Sequence, residues 1–238
     1  MNILIVGGSS GIGLDYLKNH CSTYQNVWVI GRRPSMEVDD VNMNFSYQSL
    51  DIENANEIGE FVDTVPDSFD KILFSAGVRA NNPLMVFDQE KWKRDIQINL
   101  VSVGLLLGGL YRKRKINPDS DLVILSSING TVRGSKGCIG YASAKAGILG
   151  FVKVFANEAG KKGVKINCIS PGMVETPLVD DLNHISPSQL ELDKKRYPLK
   201  NRYALPSDIS GLLRFLLEDN DYITGQNIVI DGGHTIAG

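Results

Sequence analysis

Tyr141 and Lys145 stand four residues apart in the run Tyr141-Ala-Ser-Ala-Lys145, at the head of an alanine-rich, amphipathic stretch that reaches about Lys161. The pattern predicts a helix over 141–160, and positions i and i+4 of a helix share a face. An ammonium held beside a phenol favours the phenolate and lowers its pKa from a reference of about 10. A tyrosine tuned in this way exchanges a proton near neutral pH, as general acid–base chemistry on a carbonyl or alcohol requires. The pair alone has a second reading, because Tyr and Lys meet at this spacing on many helix surfaces.

The N-terminus weighs against that second reading. The apolar run Asn2–Val6 has buried-strand character, and Gly7-Gly-Ser9-Ser10-Gly11-Ile12-Gly13 follows it directly, ahead of a helical pattern over Leu14–His20. A strand, a glycine turn and a helix start in this order make a phosphate site. Glycine lets the backbone approach a pyrophosphate, and the free N–H groups and dipole of the first helical turn attract it. The spacing is Gly-x-x-x-Gly-x-Gly, not the commoner Gly-x-Gly-x-x-Gly.

The elements that must position these groups alternate along the chain. Strands are expected near 2–6, 26–31, 42–47, 70–75, 121–126, 164–170 and 226–231, with helices over 11–20, 54–64, 90–115, 141–160 and 206–218. Apolar strands separated by helices imply an α/β fold: a doubly wound parallel sheet (Rossmann fold) of about seven strands, with helices on both faces. Such a sheet binds ligands beyond the carboxyl ends of its strands, where the strand order reverses. The 238 residues, 42% of them apolar, are read as one domain spanning 1–238.

Composition narrows the partners. A net charge of −2 gives no basic surface for nucleic acid. The one basic run, Arg112–Lys115, falls where a long helix should end and complements its dipole. Cys21, Cys138 and Cys168 form neither a metal spacing nor an even disulfide framework, so no metal is expected. There is no leader-like start, and the apolar stretch Leu100–Leu110 is too short to span a bilayer, which gives an expected cytoplasmic location without membrane contact.

In order along the chain, further motifs accompany the glycine turn. They are Asp51 and Ile52 after the third strand, Ser75-Ala76-Gly77 after the fourth, and Asn99 within Ile98-Asn-Leu100. Ser126-Ser127 follows the fifth strand and precedes Tyr141 and Lys145. Pro171-Gly172 then leads to Val174 and Thr176, and the chain closes with Tyr222–Gln226 and Asp231-Gly-Gly233. In this set the sequence resembles the short-chain dehydrogenase/reductases nearly end to end, and is similar to their 3-oxoacyl-carrier-protein reductase-like members. The resemblance implies hydride transfer between a nicotinamide cofactor and a carbonyl or secondary alcohol. Tyr141 would be the general acid or base, Lys145 would lower its pKa and bind the nicotinamide ribose, Ser127 would hold the reacting oxygen, and Asn99 would support a proton relay. Ser127 is preferred to Ser126 because Gly130 lies three residues after it. The resemblance also implies cofactor contacts at Gly7, Ser9, Ser10, Gly11, Ile12, Gly13, Asp51, Ile52, Ser75, Ala76, Gly77, Pro171, Gly172, Val174 and Thr176. It further implies a homotetramer or homodimer through the helices carrying Leu105-Leu-Leu107 and Phe151/Phe155. Two departures stand out: Val6 where threonine is usual, and Ser75 where asparagine is usual, which puts the bracing of the central strands in doubt.

Gly31-Arg32-Arg33 ends the second strand without the carboxylate that would bind the ribose hydroxyls of NAD, and two guanidinium groups match an extra phosphate. NADP(H) is therefore expected over NAD(H). Asp39 and Asp40 lie too far along to take the carboxylate's place. Asp51 has a second reading as a helix N-cap. The expected substrate is a small carbonyl or alcohol, with a 3-oxoacyl thioester as the specific alternative and a non-catalytic nucleotide-binding regulator as the other class. The charged segment 175–200, with Asp180, Asp181, His184, Lys194, Lys195 and Arg196, reads as a lid. Arg133 and Lys136 read as solvated loop charges or as contacts for an anionic substrate.

Overall fold

The computed structural model describes residues 1–36, 44–177 and 186–237. Its seven strands are β1 (Asn2–Val6), β2 (Asn26–Gly31), β3 (Phe45–Ser49), β4 (Phe69–Phe74), β5 (Ile116–Leu125), β6 (Lys165–Pro171) and β7 (Asn227–Ile230). All pair in parallel, in the order β3-β2-β1-β4-β5-β6-β7. The expected doubly wound sheet is therefore present, and its order reverses between β1 and β4.

The apolar alternation of β1 explains the two layers. Leu4 and Val6 point into one core with Ile58 and Phe61 of α2 (Ala55–Thr64), Ile98, Leu106 of a later helix and Ile148. Ile3 and Ile5 point to the opposite core, with Tyr16 and Leu17 of α1 (Gly11–His20) and Ile209 and Leu213. Ile3 to Val6 of β1 are thus all buried, on alternate faces, as a central strand of a two-sided parallel sheet demands. At the opposite edge from the site, buried Asp121 pairs with Lys71 at 2.6 Å and Lys165 at 3.1 Å, tying together the amino ends of β4, β5 and β6.

The single helix expected over 90–115 is three pieces: α3 (Gln89–Ile96), a π-turn (Gln97–Val101) and α4 (Ser102–Arg112). The inserted π-turn lies at Asn99, and such bulges recur at functional sites. The basic run then ends α4, where Lys113 pairs with Asp63 at 2.6 Å and Lys115 donates to the Val65 carbonyl at 2.8 Å. After the short irregular turn α5 (Ile128–Thr131) comes α6 (Ile139–Ala159). Together with its last turn, Ile139–Lys162 is long and apolar enough to cross a membrane by length and composition alone. Here Ile148, Val152, Ala156 and Ala159 spend that apolar content on the sheet. The last two helices are α7 (Pro187–Lys194) and α8 (Pro206–Arg214).

Candidate active site

At the carboxyl ends of β1 and β4, where the strand order reverses, lies a cavity of about 530 Å³. Its first half is made mostly of backbone. Gly7, Ser9, Ser10, Gly11 and Ile12 line it from the turn between β1 and α1. Gly7 has φ +86°, and a Cβ there would lie 2.6 Å from the Ala76 nitrogen, so only glycine fits between the β1 and β4 ends. Ser10 is the N-cap of α1 but makes no side-chain cap bond, leaving the first N–H groups of that helix without a side-chain acceptor from the cap. Ser75 donates to the carbonyls of Val6 and Gly7, 3.1 Å each, so the serine that replaces asparagine still braces the two central strands.

Arg32 and Arg33 line the β2 end of the cavity with exposed side chains, and the Tyr47 hydroxyl fixes the Arg33 carbonyl at 2.8 Å. Asp51 lines it beside Ile52. The cap of α2 is Asn54, whose side chain accepts from the Asn56 N–H, so the helix-cap reading of Asp51 falls away. Asp39 and Asp40 lie outside the described residues, as does the start of the third predicted strand. Pro171, Gly172, Val174 and Thr176 close the cavity from the end of β6, with Thr176 packed over Gly11.

The second half begins at β5. Ser127, Tyr141 and Lys145 all line the cavity and all are buried. Ser126 and Ser127 divide their work: the Ser126 hydroxyl donates to the Lys145 carbonyl at 2.9 Å, while Ser127 accepts from the Asn129 N–H at 3.1 Å and hydrogen-bonds the Tyr141 phenol. The Lys145 ammonium donates to the Leu125 carbonyl at 2.7 Å and sits 5.6 Å from the Tyr141 ring centroid. The expected lowering of the phenol is not what this arrangement produces. Burial is the largest influence on Tyr141 and pushes it up, against downward pulls from Ser127 and Arg79. Burial lowers Lys145 itself to about 8.

Two predicted residues do not line the cavity. Asn99 is fully buried. Its amide donates to the Asp95 and Val78 carbonyls at 2.8 Å each and accepts from the Val78 N–H at 3.2 Å, so its side chain holds the extension of β4 in place. Gly13 serves packing: a side chain there would collide with the Ser75 hydroxyl and the Gly7 carbonyl. Asp95, which the sequence reading passed over, accepts from the Ala80 N–H at 3.1 Å and from the Tyr141 N–H, joining α3 to the start of α6. Lys136 and Cys138 are outside the cavity lining, and burial raises the Cys138 thiol.

Beyond Tyr141 the lining continues with Arg79, Asn129, Arg133, Met173, Tyr197 and His234. The described part of the expected lid is anchored instead. Ser186 and Gln189 form a capping box at the start of α7, and Tyr197 is buried, edge-on to Tyr203 and stacked on His234. Asp180, Asp181 and His184 lie outside the described residues. The pattern Ser186-Pro187-x-Gln189 is a helix-start signal that was present in the sequence.

A family profile described as Enoyl-(Acyl carrier protein) reductase matches residues 23–235. A 3-oxoacyl-[acyl-carrier-protein] reductase of Chlamydia trachomatis is 31% identical over 97% of this chain and 95% of its own. Among solved structures, levodione reductase superposes with a TM-score of 0.89 at 25% identity, covering 100% of this chain and 98% of that one. A 4-hydroxyisoleucine dehydrogenase complexed with NADH gives 0.87 at 26% identity, covering 100% and 99%. The chain belongs to the short-chain dehydrogenase/reductase family. It is an NAD(P)-dependent oxidoreductase of that family, with the family's parallel sheet. In this short-chain dehydrogenase/reductase, every residue named from the sequence as catalytic or cofactor-binding lines the one cavity, apart from Asn99 and Gly13.

Proposed function

We propose that this reductase uses NADP(H) to interconvert a carbonyl and a secondary alcohol, with Tyr141 as the general acid or base. The observation that carries the reading is the convergence of Ser127, Tyr141 and Lys145 on one wall of a cavity whose other wall is the glycine turn at the start of α1. The turn fits a dinucleotide, since Gly7 and Gly11 leave backbone without side chains facing the cavity and the helix N-terminus favours a pyrophosphate. Ser9, Ser10, Ile12, Asp51, Ile52, Ser75, Ala76, Gly77, Pro171, Gly172, Val174 and Thr176 would complete that cradle. The nicotinamide, when bound, supplies the hydride.

The chain's own residues do the rest. Ser127 donates to the reacting oxygen and aligns it with the phenol. Tyr141 passes its proton to that oxygen as it gains charge, and the neutral phenol favoured by burial is the form that reduction needs. Lys145 holds the ribose and offers a cation beside the phenolate that remains. Asn99 keeps the end of β4 in register by binding the Val78 N–H and carbonyl, which holds Gly77 at the cavity wall where it would meet the cofactor. Arg32 and Arg33 support NADP(H) over NAD(H), because a guanidinium–phosphate bond is worth roughly 1.5–3 kcal/mol.

The test is NADPH oxidation against ketones, keto-sugars and 3-oxoacyl thioesters, beside the same assay with NADH. Turnover that requires a thioester favours the second reading, a 3-oxoacyl-thioester reductase, which the name of the chlamydial relative supports. Tight nucleotide binding with no turnover on any class would leave the regulator reading. Copies of the chain are proposed to pair through α4 and α6, where Leu105 and Val154 are exposed, as a homotetramer or homodimer.

A further inference from the structure

The cavity beyond Tyr141 is lined by two guanidinium groups without a direct ion pair, although buried Asp95 lies close enough to Arg79 to feel its charge. Arg79 and Arg133 both line it, half-buried, and neither forms an ion pair among the described residues. Among the described residues the lining includes two carboxylates, Asp51 and Asp193. Asp51 accepts from the Glu53 N–H at 3.0 Å, at the β3 end of the cavity. Asp193 accepts from the Tyr203 hydroxyl at 2.8 Å and pairs with Arg196 at 3.5 Å, so its charge is already answered.

Arg133 is held by a chain of contacts from distant parts of the sequence. Its Nη1 donates to Nε2 of buried His234, whose Nδ1 lies 3.3 Å from the Arg196 carbonyl. With Nε2 facing the guanidinium, Nδ1 is the nitrogen turned to the Arg196 carbonyl. The imidazole lies flat on Tyr197, with centroids 4.3 Å apart and planes 11° apart, and Tyr197 in turn accepts from the Met173 N–H at 3.3 Å. On the near side, Ser135 donates to the Asn129 amide oxygen at 2.6 Å, which braces the loop that carries Arg133. A loop charge kept only for solvation needs none of this. A guanidinium has five N–H donors, and His234 engages one nitrogen, leaving others in the cavity.

We infer that Arg133, aimed by His234 and Tyr197, recognises a carboxylate on the same molecule as the reacting carbonyl, so that the substrate is a small oxo acid or hydroxy acid. The inference rests on the hydride-transfer reading above and narrows its substrate class. A carboxylate presents two oxygens in one plane, the match for a guanidinium fork. Arg79, on the segment after β4, adds a second cation near Tyr141 and the same preference for an anion.

Acetoacetate, levulinate, their methyl esters and the acetoacetyl N-acetylcysteamine thioester, each assayed with NADPH, test it. The acids should exceed their esters in kcat/KM by about tenfold or more, the worth of a charge-assisted pair. Arg133→Gln should bring the acid-to-ester ratio towards one, His234→Phe should lower it in part by removing the acceptor while keeping the stack, and Arg133→Lys should fall between Gln and wild type. The NADPH dissociation constant, read from nucleotide fluorescence, should stay within about twofold in all three. A ratio near one in wild type, a ratio untouched by Arg133→Gln, or a loss confined to NADPH binding overturns the inference while leaving hydride transfer standing. Turnover of the thioester or esters in preference to the acids does the same. NADPH oxidation with none of these compounds overturns the inference together with the reading beneath it.

Discussion

The two halves of the cavity are built in opposite ways. The half around the glycine turn is made of main chain from short contiguous runs, and its glycines are fixed by how closely β1, β4 and α1 approach one another. The half around Arg133 is made of side chains from five separate segments, after β4, after β5, after β6, after α7 and after β7. A backbone-built site repeats whenever the same turn is made, so it suits a ligand shared by many enzymes. A side-chain-built site changes with each substitution, so it suits the ligand that distinguishes one enzyme from the next.

Between the halves stands Tyr141, and its loss should give the largest effect. Tyr141→Phe is expected to lower kcat by about 10²–10⁴-fold with NADPH affinity intact, which single-turnover and binding measurements together would check. A smaller drop would mean that the proton comes from elsewhere. Next, replacing Arg32 and Arg33 together by serine should raise the KM for NADPH by roughly ten- to a hundredfold and leave that for NADH nearly unmoved. Equal effects on both nucleotides would show that the β2 end does not read the extra phosphate. Gly7→Ala should destabilise the fold by about 1–3 kcal/mol in chemical denaturation, because the new Cβ meets backbone at a positive φ. Removing a side-chain contact in the other half, as in Ser135→Ala, should cost at most about 1 kcal/mol, and a reversal of that order would break the contrast.

A separate effect is one of pH. Burial sets the Lys145 ammonium at about 8 against 10.5 for an open lysine. Below pH 8 the folded and unfolded chains both carry the charge, and only the folded chain bears its desolvation. As pH rises from 8 to 10.5 the unfolded chain binds more protons, so wild-type stability gains on that of Lys145→Met across this window. Parallel denaturation curves of the two proteins at several pH values measure the difference. A gap that stays constant with pH would mean that Lys145 keeps its proton in the folded state.

The first half was legible because periodicity and glycine spacing are local. Apolar runs gave all seven strands, and Gly7 to Gly13 marked the cradle, although Gly13 packs and does not line it. Ser127 was separable from Ser126, and the structure assigns the two hydroxyls different partners. What escaped was either a local irregularity or a long-range meeting. The π-turn at Asn99 leaves the helical repeat almost unchanged, so one long helix was the natural reading. The rise of the Tyr141 phenol comes first from burial, which does not follow from i,i+4 spacing. His234 reaches Arg133 across 101 positions of sequence, and no window of residues contains both.

The stack of His234 on Tyr197 also makes the molecule easy to observe. The chain has three histidines, and the imidazole of this one lies face to face with a phenol ring at 4.3 Å. Ring current from that neighbour displaces its carbon-bound protons upfield of those of a freely rotating imidazole, giving a resolved magnetic resonance line without any introduced label. Because the same imidazole touches Arg133, that line doubles as a gauge of whether the far end of the cavity is filled, and it reports even on compounds that bind without reacting.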